Sequence, residues 1–236
     1  MDKLYGGYPI YGADIGILML NCCFPRPRGD IGNANTFSYP VCYELIKDTM
    51  PTTLTIDEES ESVEHMLHYA EELERKGVRA ILTSCGLLIA HQDKLVQRLS
   101  VPVASSSLTL LPFVQTILGP DKKIGIIVSA LNTSIQKLLD ISENKNVVPI
   151  SMEASPEFMR GIMSMSPPFE LDQDRLRDEV VEICQHHIQE HGQLSAIIVE
   201  CTNIAPYSSE LRRQLRIPVF DITQVADLLH AAVSTD

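Results

Sequence analysis

Basic residues are scarce in this chain. Lysine and arginine total 19 against 31 aspartates and glutamates, a formal net charge of −12 over 236 residues. The imbalance is spread along the chain and not gathered in a tail. Binding a phosphate backbone needs a basic face that displaces counterions, so no nucleic-acid partner is expected. A small anionic substrate stays compatible, because a few backbone N–H groups at a helix start hold a carboxylate whatever the global charge.

Long apolar runs are also missing. No window approaches the roughly 18 residues of a membrane helix. The first twenty residues carry Asp2, Lys3 and Asp14 and lack the apolar stretch of a secretory signal. These absences lead us to expect a cytoplasmic protein with no membrane partner. The six cysteines (Cys22, Cys23, Cys42, Cys85, Cys184 and Cys201) form no CxxC pair, which argues for free thiols in a reducing compartment and against a zinc site. Neither GxGxxG nor a Walker lysine motif occurs, so nucleotide binding has little support.

What remains is a composition of 44% hydrophobic and 21% charged residues, that of a folded domain or two small lobes. Internal similarity then organises the chain. Ile15-Gly16-Ile17-Leu18-Met19-Leu20 and Ile124-Gly125-Ile126-Ile127-Val128 are apolar without alternation, as strands covered on both faces are. Later in each half a polar stretch ends at a glycine, Gly77 or Gly192, and enters an apolar strand that finishes in Cys85 or Cys201. A short Pro-containing strand follows, and 17 residues separate Cys85 from Pro102 and Cys201 from Pro218 alike. The two cysteines therefore hold equivalent positions.

Amphipathic helices are expected over Asp57 to Lys76, through Val63, Met66, Leu67, Ala70 and Leu73, and over Asp172 to His191, through Leu176, Val180, Ile183 and His187. Strands alternating with helices imply right-handed crossovers. The expected architecture is α/β, two pseudo-symmetric Rossmann-like lobes with parallel sheets and the active site in the cleft between them. The functional edge of such sheets lies beyond the carboxyl ends of the strands, where both cysteines fall. A helix start beyond each sulfur is expected to stabilise its thiolate.

Other segments leave alternatives open. The loop from Phe24 to Asn33 follows the first strand, and it either brings Arg26 or Arg28 to a carboxylate or is a surface turn. Ser105-Ser106-Ser107, Ser129 and Asn132-Thr133 are either helix caps or cleft ligands. Cys184, His187 and His191 share one helix face, which reads as a packed or solvated face more than a metal site. Cys22, Cys23 and Cys42 read as packing residues. The Met-rich stretch before Pro167-Pro168 is either a mobile flap or a buried irregular connection.

Thr83-Ser84-Cys85-Gly86 in one half and Glu200-Cys201-Thr202-Asn203 in the other make the chain resemble the aspartate/glutamate racemase superfamily, over nearly its whole length. The resemblance implies cofactor-independent chemistry in which Cys85 and Cys201 stand on opposite faces of a substrate carbon. One removes its hydrogen and the other reprotonates from behind. It also implies a first lobe over 1–106, a second over 107–221, and a final segment over 222–236 that packs back on the first. Gly86 and Leu87 stand where amino acid racemases commonly carry Asn-Thr, and Asn203 where an acidic residue or histidine is common. Gly86, Leu87, Thr202, Asn203, Arg26, Asn33 and Ser129 are the expected substrate-binding residues.

The expected activity is that of a racemase or epimerase of a small carboxylate, an amino acid such as aspartate or glutamate or a derivative such as a hydantoin. A maleate-type isomerase or related decarboxylase is the alternative, and a non-catalytic carboxylate-binding protein the second. A homodimer is the base-rate expectation for such a protein.

Overall fold

The structure is a computed structural model and describes residues 6–47, 61–139 and 146–235. Its first half contains β1 (Ile15–Leu20), β2 (Val41–Ile46), α1 (Glu61–Arg75), β3 (Ala80–Thr83), α2 (Gln92–Arg98), β4 (Val103–Ala104) and α3 (Leu111–Leu118). The second contains β5 (Ile124–Val128), α4 (Thr133–Leu138), β6 (Val147–Ser151), the short α5 (Pro156–Phe158), α6 (Gln173–His191), β7 (Ala196–Val199), α7 (Ser208–Leu215), β8 (Val219–Phe220) and α8 (Ile222–Val233). Residues 57–60, assigned above to the start of the first helix, lie outside the described residues. The second expected helix begins where Asp172 accepts a hydrogen bond from the Arg175 N–H at 3.1 Å.

The strands form two parallel four-stranded sheets ordered β2-β1-β3-β4 and β6-β5-β7-β8. This is the α/β architecture expected from the alternation of strands and helices. Their registers repeat: Ile15 pairs with Ala80 and Ile124 with Ala196, then Ile81 with Val103 and Ile197 with Val219. β1, β3, β5 and β7 are buried throughout, which is why they show no alternation. Gly16 and Gly125, second in their strands, let side chains of neighbouring elements approach closely. A Cβ would stand 2.9 Å from Leu73 of α1 at the first and 2.8 Å from Leu194 at the second.

Each sheet has a core on both faces, and one face of each is covered from the other half of the chain. α3 follows β4 of the first sheet, yet Leu108 and Val114 pack with Ile124, Ile126 and Ile198 of the second. α8 follows β8 of the second sheet, and Ile222, Val225 and Ala226 pack with Ile15, Ile17 and Ala80 of the first. Ser107 Oγ ties the halves by donating a buried hydrogen bond to the Val199 carbonyl at 2.6 Å. The carboxyl ends of β3 and β7 consequently face one cavity. Among the described residues no helix is long and apolar enough to cross a membrane.

Candidate active site

Cys85 lies two residues past β3 and Cys201 two past β7, and each opens a short 3₁₀ helix, Gly86–His91 and Thr202–Tyr207. The turns are closed by Leu88 N–H to the Cys85 carbonyl at 3.1 Å and Ile204 N–H to the Cys201 carbonyl at 2.9 Å. Backbone amides consequently point at the sulfurs, those of Leu87 and Leu88 toward Cys85 and that of Asn203 toward Cys201.

Both thiols border a cavity of about 200 Å³ between the sheets. Gly86, Leu87, Thr202, Asn203, Arg26 and Ser129 border it too. Asn33 does not. Its side chain donates to the Arg26 carbonyl at 2.8 Å and accepts from Asn35 N–H at 2.9 Å, so it braces the loop and does not face the substrate space. The loop does reach the cavity, through Phe24 and Arg26. Arg26 stacks over the Phe24 ring at 4.4 Å and pairs with the buried Asp30 at 2.8 Å. Asp30 also accepts from Asn203 Nδ2 at 3.0 Å, and the Cys201 thiol points at Asn203 Oδ1 at 3.9 Å. A polar chain thus runs from the first-half loop to the second cysteine.

Several readings change. Cys22 packs against the cores of both halves, as expected, and also lines the cavity. Ser105, Ser106 and Ser107 are buried away from it: Ser105 Oγ donates to Gln92 Oε1, and Ser106 caps the turn at Ser107–Leu110. Asn132 both lines the cavity and caps, accepting from Ile135 N–H at 3.0 Å. The Met-rich stretch is an ordered π-helical turn over Met159–Met163, held by the buried Phe158 and Ile162, and it carries Ile162, Met163 and Met165 onto the cavity. His187 Nδ1 lies 3.0 Å from the Ile183 carbonyl, and no metal-binding cluster occurs among the described residues.

The electrostatics also differ from the expectation of stabilised thiolates. Burial pushes Cys85 up to about 12, the Glu200 charge adds to this, and the amides of Leu87 and Leu88 offset only part of it. Cys201 is raised well above its ordinary value, by burial first and then by the Glu200 charge. Loss of water outweighs one or two N–H contacts, because an ion in an apolar cavity loses most of its solvation.

Glu200 is the residue that sequence reasoning passed over. It precedes Cys201, lines the cavity, is 2% exposed, and its carboxyl has no hydrogen-bond or ion-pair partner among the described residues. Burial alone raises it to about 8. The position equivalent by register is Ser84, whose N–H bonds Leu18 as that of Glu200 bonds Ile127. Ser84 is spent internally, its Oγ accepting from Leu20 N–H at 2.9 Å and its carbonyl from Thr202 Oγ1 at 2.8 Å. The Glu200 carbonyl and carboxyl press on Gly86, where a Cβ would fall 2.7 Å from the Glu200 carboxyl carbon. Glycine beside Cys85 is what makes room for that carboxyl. An acidic residue at the end of an otherwise apolar strand was the available signal.

Paired sulfurs at the ends of two equivalent parallel strands define a protein of the racemase superfamily, and the comparisons agree. The family model for Asp/Glu/Hydantoin racemase matches residues 39–227, and the chain belongs to that family. Among curated proteins it is 27% identical over 221 residues to a dimethylsulfoniopropionate lyase of Durusdinium sp. clade D, covering 91% of this chain and 73% of that one. Dimethylsulfoniopropionate lyase 7 of Emiliania huxleyi is 26% identical over 219 residues, 88% of this chain and 63% of its own length. The chain thus spans less than two thirds of the latter. Among solved structures, an allantoin racemase from Klebsiella pneumoniae aligns with a TM-score of 0.59 at 16% identity, over 95% of this chain and 91% of that one. A glutamate racemase from Bacillus anthracis gives 0.57 at 14%, over 94% and 83%. These two likenesses show the fold.

Proposed function

We propose that the protein is a cofactor-independent lyase that removes a proton from the carbon next to a substrate carboxylate and expels a leaving group from the following carbon. The observation that carries this reading is a broken symmetry. The two cysteines are equivalent in the fold, but Glu200 stands beside one and only the spent Ser84 beside the other. A racemase running in both directions is served by two matched bases, whereas an elimination needs one base and a differently built site for the departing group. The curated relatives, named as lyases, support the same choice.

Cys85 is the base in this reading. Two amides converge on its sulfur against one on Cys201, so its thiolate is the easier to form. With a dimethylsulfonio propionate as substrate, the Cys85 thiolate takes the α-hydrogen as a proton and the C–H electron pair becomes the double bond. The β-carbon–sulfur bond breaks with its pair going to sulfur, leaving acrylate and neutral dimethyl sulfide. Cys85 then gives its proton to solvent. Arg26 and the amides beyond Cys85 hold the carboxylate as negative charge develops on it.

The test is to supply the reduced protein with dimethylsulfoniopropionate, amino acids and hydantoins in deuterium oxide, reading dimethyl sulfide in the headspace and α-hydrogen loss by proton NMR. Sulfide and acrylate are expected, with kcat lowered about 10³-fold in Cys85→Ala. Exchange and inversion of an amino acid or hydantoin without sulfide release would replace the lyase by the racemase, the second reading, which the equivalent positions of the two thiols favour.

A further inference from the structure

We infer that the Glu200 carboxylate is a recognition site for a methylated onium group, so that the substrates of this cavity are zwitterions carrying a sulfonium or quaternary ammonium beside their carboxylate. The inference rests on the reading above that this cavity binds the substrate. It adds which half of the molecule Glu200 takes.

Charge within the cavity supports it. Arg26, the cation on the wall, is already paired with Asp30, so the pair is neutral. Glu200 is a buried carboxyl with no partner among the described residues, and an unpaired buried carboxylate is costly enough that proteins normally supply a counter-charge. The groups around it supply none: Cys22 follows β1, Cys85 follows β3, Cys201 is its neighbour, and Asp30 bears on Cys201 from the loop. The counter-charge is therefore brought by the ligand. The surrounding surface has the matching chemistry. Phe24, Met163 and Met165 are polarisable and apolar, suited to methyl groups on a diffuse cation and poorly suited to a hydrated ammonium.

A bound cation also keeps the ionised carboxyl compatible with the base. Glu200 in its ionised form raises both thiols, and an onium paired with it cancels that effect, so the carboxylate forms without holding Cys85 further from its thiolate.

The experiment is isothermal titration of the reduced protein at pH 7 with 3-(trimethylammonio)propionate and with 4,4-dimethylpentanoate, which has the same shape without the cation. Each is run in phosphate and in Tris, on the wild type and on Glu200→Gln. We expect the ammonium ligand to bind at least tenfold tighter than its carbon isostere in the wild type. Its binding should release close to one proton, because Glu200 is mostly protonated in the empty site and ionises against the cation. In Glu200→Gln the preference falls to within about threefold and proton release disappears, while retained binding of 4,4-dimethylpentanoate shows that the cavity is intact. Equal binding of the two ligands by the wild type, no binding of the ammonium ligand, or an unchanged preference in Glu200→Gln overturns the inference. None of these readouts uses turnover, so a protein that prefers the cation but releases no sulfide refutes the lyase reading and leaves the Glu200 assignment standing.

Discussion

Gly86 and Glu200 come from different halves of the chain and occupy one space. The glycine is not needed for a left-handed turn, since its φ is not in the positive region, but because the Glu200 carbonyl and carboxyl lie where its Cβ would be. Gly86→Ala must displace the strand end that carries Cys201. We expect a loss of about 1–3 kcal/mol in urea unfolding, the usual cost of overpacking, together with a larger fractional loss of kcat than of KM. Glu200 also sets a pH dependence of stability. Its folded value is raised from 4.5 to about 8, so the native state holds a proton that the unfolded chain has lost. That contribution is complete below pH 4.5, shrinks by up to about 1.4 kcal/mol per pH unit as pH rises, and is gone above about 8. The difference in unfolding free energy between wild type and Glu200→Gln, measured from pH 5 to 8, should fall with rising pH; a flat difference would mean that the carboxyl is ionised throughout.

At the scale of elements, the segments that bear on the site are short and irregular. The turns beyond Cys85 and Cys201 are 3₁₀ before they become α2 and α7, which aims two amides at Cys85 and one at Cys201 and does not bring a long helix dipole to bear. Their existence was legible from the repeated strand-cysteine pattern, their 3₁₀ form was not. The loop from Phe24 to Asn33 could not be assigned from its residues because its order depends on distant partners. Gly29, at φ 104°, packs on Pro206, and Asp30 bonds Asn203. α8 is defined by a capping box in which Asp221 accepts from Thr223 N–H at 2.9 Å while its own N–H bonds Gln224. Asp221→Ala removes both the cap and the buried carboxyl that Arg212 approaches. A loss of about 0.5–2 kcal/mol is expected in denaturant melts.

At the scale of the molecule, the exchange of α3 and α8 makes each sheet depend on the other half of the chain. α8 brings Ile222, Val225 and Ala226 onto the first sheet, and burying an Ile or Val side chain is worth roughly 1.5–3 kcal/mol. A chain ended before Ile222 leaves Ile15 and Ile17 facing water on that side, and we expect it to be insoluble or to lose its cooperative transition by calorimetry. The full chain should unfold in one transition with equal calorimetric and van't Hoff enthalpies. Two resolved transitions would show that the lobes are independent.

The parallel sheets and the equivalence of Cys85 and Cys201 were readable from residues alone, because continuous apolar strands and a repeated spacing are local properties that recur in each half; the order of the strands was not. The family followed from the same residues through Cys85-Gly86 and Cys201-Thr202. Which other groups join the sulfurs was decided only by the packed molecule. The segment with Cys22 and Phe24, Met163 and Glu200 lie far apart in sequence and carry no common pattern. Asn33 and the serines at 105–107, polar and well placed along the chain, turned inward to backbone groups and, for Ser105, to the Gln92 side chain. Hydrogen-bond satisfaction and burial are settled between neighbours in space. The same holds for the thiols, whose resistance to ionisation comes from water excluded between the halves and from the Glu200 carboxyl, which reaches Cys85 from the opposing half and Cys201 from its own.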